Sequence, residues 1–129
     1  MQRIIAGALG AFLAANGAVM VAAALWWYGA VPGVPATGPY NPHFIHDIGM
    51  IYLVVAGGLL WFAWRPAQGW PALVSAAAFL VLHGLIHVHD AVLSPTCGHD
   101  LTRDLPGVFA PAILAAWIAF ASAPRIRRI

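Results

Sequence analysis

Four apolar stretches, each about as long as a bilayer is thick, limit what this chain can fold into. A helix needs roughly 20 mostly apolar residues to cross the hydrocarbon core. Such stretches run from Ile4 to Tyr28, Phe44 to Phe62, Pro71 to Leu93 and Pro106 to Ala123. Between them lie PGVPATGPYNP, WRPAQGW and SPTCGHDLTRDL, all rich in residues that turn a chain. Only 8% of the 129 residues are charged and 62% are hydrophobic. A soluble domain carries about a quarter charged residues. So few charges cannot cover a water-facing surface, and the lipid bilayer becomes the expected solvent. The expectation is all-α: a single integral membrane domain over residues 1–129, folded as a four-transmembrane-helix bundle.

Local signals agree with these spans. Asn41-Pro42, Trp70-Pro71 and Leu105-Pro106 each put proline in a first helical turn, where its missing N–H costs nothing. Pro95 closes the third span, and Pro111 falls inside the fourth, where a kink is expected. Trp26, Trp27, Tyr28, Trp61, Trp64 and Trp70 flank span ends as an interfacial belt would. The first span is too long for a signal-peptide core, and it ends in Trp-Trp-Tyr rather than in a small-residue cleavage site. Its AGALGAFLAANGA run suits close helix packing, with Asn16 hydrogen-bonded to a neighbour.

The arginines set the expected orientation. Arg3, Arg65, Arg125, Arg127 and Arg128 fall on one side of a four-span chain, and only Arg103 falls on the other. The positive-inside rule then makes both termini cytoplasmic and sends the first and third loops outward. In a bacterium this is the inner membrane, with those loops in the periplasm. The net charge of +2 is therefore a topology signal, and binding of nucleic acid is not expected. The single Cys97 excludes an internal disulfide and a CxxC redox pair.

This topology gathers the ionisable residues. All four acids, Asp47, Asp90, Asp100 and Asp104, lie toward the outer side, as do His43, His46, His83, His87, His89 and His99. In HFIHD, His43 and Asp47 are four apart and share a helix face, with His46 about 60° to one side of it. In HGLIHVHD, His83, His87 and Asp90 stand at i, i+4 and i+7 of one face. His89 points elsewhere, and His99 with Cys97 belongs to the outer loop. Ionisable groups within a membrane are costly and mark function by default. Imidazole nitrogen with carboxylate oxygen suits copper, zinc or iron. The candidate metal ligands are His43, His46, Asp47, His83, His87 and Asp90. The plainer reading is that a His–Asp pair simply fastens two helices.

The string TGPYNPHFIHDIGMIYLVVAG followed by HGLIHVHD resembles small four-helix bacterial membrane proteins of uncharacterised function that share HFxxD and HxxxHxxD strings. The resemblance covers about half the chain, and it implies emphasis on His43, Asp47, His83, His87 and Asp90. It supplies no activity or cofactor. The functional expectation is an outer-facing metal site, acting on a small or lipid-soluble substrate if the chain is an enzyme. Three alternatives stand beside it: a b-type haem held by one histidine from each of the second and third spans, a copper- or zinc-handling protein, and an accessory subunit of a larger membrane complex or homo-oligomer.

Overall fold

The computed structural model describes residues 1–93 and 100–124. Arg125, Arg127, Arg128, Pro95, Cys97 and His99 lie outside the described residues. The regular structure of the described residues is all helical, and four helices are long and apolar enough to cross a membrane. In order they are α1 (Gln2–Ala22), with a short continuation α2 (Ala24–Ala30), then α3 (Pro42–Trp64) and α4 (Pro66–Leu93). The fourth crossing, Leu101–Ala121, comprises α5 (Leu101–Asp104), a π-helical turn (Leu105–Phe109) and α6 (Ala110–Ala121). A 3-10 turn, Val34–Thr37, lies in the first loop.

Helix α1 packs mainly on α3, α3 on α4 and α4 on α6, while α1 and α6 meet sparsely. One end of the bundle carries the two described terminal segments. There the Ser122 hydroxyl donates to Gln2 Oε1 at 3.1 Å. The Arg3 guanidinium donates to the carbonyls of Ala63 and Trp64 at 2.8 and 3.2 Å. These carbonyls are among the last of α3, where a cation complements the helix dipole. Arg65 stacks over Trp64 at the same end.

Backbone contact, rather than side-chain bulk, sets the α1–α3 crossing. A Cβ added at Gly17 would lie 2.7 Å from the Gly49 carbonyl oxygen, and one at Gly49 would lie 2.8 Å from the Met20 Cβ. Lipid is as apolar as leucine, so close backbone approach and dispersion hold such helices together. The pair Gly57-Gly58 splits its roles. Gly58 faces the Ala72 carbonyl, whereas a Cβ at Gly57 would meet nothing within 4 Å.

Three helix boundaries differ from those read from the sequence. The first crossing breaks at Ala23 (φ −144°, ψ 51°) instead of running through to Tyr28. The bend lets the Trp27 indole N–H donate to Asn16 Oδ1 at 2.9 Å. The second connection shrinks to Arg65, because Pro66 rather than Pro71 opens α4. Gly69 makes this possible by lying against the backbone of Phe62. The fourth crossing starts at Leu101, five residues before Pro106, because the Asp100 carboxylate accepts from the N–H groups of Thr102 and Arg103 at 2.9 and 3.2 Å and caps a new first turn. Pro106 and Pro111 are then accommodated by the π turn, closed by Ala110 N–H to Leu105 C=O.

The Trp27–Asn16 bond gives a first expected outcome. Trp27→Phe keeps the ring but removes the N–H, leaving a half-buried amide oxygen in an apolar setting. A loss of about 1 kcal/mol is expected, to be read from reversible unfolding in mixed detergent micelles. An unchanged midpoint would show that this bond does not contribute.

Candidate functional site

The bundle end opposite the terminal segments carries the described acids and histidines. The helical period decides which of them face inward. Along α4 the buried positions are Leu73, Ala76, Ala77, Leu80 and Gly84. At about 100° per residue, His87 continues that stripe, His83 lies at its edge and His89 falls on the opposite side. Along α3 the buried stripe is Ile45, Gly49, Tyr52, Val55, Ala56, Leu59 and Phe62. By the same roughly 100° step, His43 and Asp47 stand on the far side of the helix.

His87 is the centre of the inward group. Its Nδ1 lies 2.8 Å from Asp104 Oδ2, with the two side chains 18% and 10% exposed. An ionised carboxylate only accepts, so Nδ1 carries the proton and the imidazole lone pair sits on Nε2. The other carboxylate oxygen, Asp104 Oδ1, accepts from Arg103 Nε at 3.4 Å. A charge-assisted bond of this kind stabilises by about 1.5–3 kcal/mol, and it joins the third crossing to the first turn of the fourth.

His83 lies one turn deeper, its ring centroid 4.9 Å from that of His87 in an edge-on arrangement. It stacks on Phe79, with centroids 5.9 Å apart and planes within 7°, and meets Tyr52 edge-on at 6.2 Å. Tyr52 is only 7% exposed. Neither the His83 imidazole nor the Tyr52 hydroxyl has a hydrogen-bond partner among the described residues. No fully enclosed side-chain polar atom is left unpartnered among those residues, so these polar atoms reach open space. Tyr52 lies ten residues into α3, roughly 15 Å along it. In sequence along the fold, Arg103, Asp104, His87, His83 and Tyr52 thus lead from the loop end of the bundle toward its middle.

The remaining sequence-selected residues lie elsewhere. His43 pairs with Asp47 at 3.4 Å on the outside of α3, 88% and 59% exposed. His46 is exposed too, as is Met50. Asp90 is half-buried and lies 3.0 Å from His89 Nδ1. Of the six residues expected to share a site, the fold brings His83 and His87 into contact and sets HFIHD on another face. Among the described residues, no three His, Cys, Asp or Glu side chains converge in a metal-holding group. Two apolar grooves flank α6, one of about 300 Å³ beside Ile5, Phe12 and Leu114 and one of about 250 Å³ beside Val81, Leu85 and Ile113. Neither is lined by the polar residues.

Sequence reasoning missed Asp104 and Tyr52. The sequence spans leave Asp104 in a loop, although the Asp100 cap that draws it into a helix is visible in DLTRD. Tyr52 is a mid-span tyrosine, away from the interfaces where tyrosine gathers, and that position was a usable signal. No known protein family matches the chain, and neither do curated proteins or solved structures.

Proposed function

We propose that this chain is a multi-pass protein of the bacterial inner membrane that binds a transition metal ion through the imidazoles of His83 and His87. Asp104 is the carboxylate that orients His87. What carries the reading is that the half-buried His83 imidazole and the Tyr52 hydroxyl have no hydrogen-bond partner among the described residues and reach open space beside an imidazole already oriented by a carboxylate. A bound ion with its ligand water would give these groups partners in that space. A carboxylate on the distal nitrogen of a metal-binding histidine is the usual outer support of such sites. Imidazole donors suit copper, zinc or iron. Two protein nitrogens leave coordination positions for water or substrate, as sites that act on a molecule require. Arg3 and Arg65 at the terminal end support a cytoplasmic placement of that end under the positive-inside rule. The site then belongs to the periplasmic half.

The test is purification in mild detergent after metal-replete growth, followed by elemental analysis and a visible spectrum for wild type and His87→Ala. Stoichiometric copper, zinc or iron that disappears in the variant is expected. A Soret band lost in the variant would instead establish a b-type haem. Clean wild-type protein with neither would overturn the metal reading.

A second reading rests on the order Arg103, Asp104, His87, His83, Tyr52. Such a line is suited to passing a proton between the outer face and the middle of the bundle, and it becomes the leading reading if no metal is found.

A further inference from the structure

The first loop is built around Tyr28. Its hydroxyl donates to the Gly38 carbonyl at 2.9 Å, and its ring meets Tyr40 edge-on at 5.4 Å. The Val34–Thr37 turn is closed by Thr37 Oγ1 donating to the Val34 carbonyl at 2.8 Å. The turn is preceded by Gly33 in the left-handed region, φ 88° and ψ −24°, where a side chain is disfavoured. Gly33 also lies flush against the guanidinium of Arg103: an added Cβ would fall on that group, 2.5 Å from both Nε and Nη2. Two independent requirements, backbone angle and space, thus meet in one glycine, and the second concerns Arg103, the residue that holds Asp104.

We propose that the first loop is a clamp on the site and that Arg103 is its positioning residue. The Gly33 turn fixes the guanidinium, whose Nε holds Asp104 Oδ1, and this directs Oδ2 at His87 Nδ1. Arginine suits the task because its donors are fixed in a plane, which a lysine ammonium cannot reproduce. The clamp keeps the Nδ1 proton, and with it the Nε2 lone pair, in one place. Loss of the clamp removes the Arg103 restraint on Asp104 Oδ1 and weakens the preference of the imidazole for one tautomer. The inference rests on the His87–Asp104 pair and not on what that pair binds.

The experiment reads the His87 tautomer directly, by ¹⁵N NMR of histidine-labelled full-length protein in micelles. It is done without added metal and above the ordinary titration range of histidine, with the His87→Ala spectrum giving the assignment. Wild type is expected to show Nδ1 protonated and Nε2 unprotonated. Arg103→Gln and Gly33→Ala are each expected to lose that single state and show the Nε2–H tautomer, with Arg103→Lys intermediate. Gly38→Ala is the folding control: Gly38 also has positive φ (150°), but a Cβ there meets nothing within 4 Å, so it strains the loop without touching Arg103. A wild-type tautomer in Gly33→Ala and Arg103→Gln would overturn the clamp. So would an equal loss in Gly38→Ala. Failure to find metal in wild type would leave this readout intact, so the two ideas fail separately.

Discussion

Asp104→Asn is expected to weaken metal binding by about 10–100-fold, the usual effect of removing a carboxylate behind a metal-binding histidine. The substitution keeps size and shape. It removes the charge and lets the amide present either its oxygen or its NH₂ to the Nδ1 atom that lies 2.8 Å from Oδ2 in the wild type. The imidazole then loses its fixed tautomer and part of its basicity. His87→Ala removes a ligand outright and should abolish binding. The informative contrast is His43→Ala with Asp47→Ala. These two pair with each other on the outside of α3, so the double variant should bind as wild type does. Isothermal titration of detergent-solubilised protein with zinc or copper separates the outcomes. Equal losses for Asp104→Asn and the α3 double variant would return the site to HFIHD and sink the arrangement proposed here.

The second large effect concerns assembly. Gly17→Leu should destabilise the bundle by about 3 kcal/mol, at or beyond the upper end for overpacking. The new Cβ would lie 2.7 Å from the Gly49 carbonyl and 3.2 Å from the Leu53 nitrogen. Both are backbone atoms, so no rotamer change relieves the clash, and α1 must move away from α3. Gly57→Leu makes the same chemical change in a setting where a Cβ meets nothing within 4 Å, and it should stay within about 0.5 kcal/mol of wild type. Unfolding midpoints in a titration of denaturing against mild detergent compare the two. Similar losses would mean that the cost is general to leucine in these helices and not specific to the crossing.

The aromatic and proline signals located the crossings but not their ends. Proline can stand at a first turn, and it can also be absorbed inside a helix when a neighbouring turn changes. Pro71 sits within α4, Pro106 lies inside the π turn and Pro111 follows it in α6. The sequence therefore read the fourth helix as starting too late, and Asp104 stayed in a loop. Its approach to His87 spans 17 positions of chain, a separation that no periodicity reports. The His83–His87 pair was legible because i and i+4 adjoin on any helix.

HFIHD shows the complementary limit. His43 and Asp47 share a face, as their spacing requires, yet that face lies opposite the Ile45–Gly49–Tyr52 stripe. In water a helix turns its apolar side inward, so pattern reveals rotation. In a bilayer the lipid-facing and inward faces are both apolar, and hydropathy carries little information about which is which. Apolar length and scarcity of charge alone determined an all-helical chain with four helices able to cross a membrane. Glycine-to-backbone contact, the Asp100 cap and the rotation of α3 and α4 decided which polar residues meet, because those depend on packing between segments far apart in the chain.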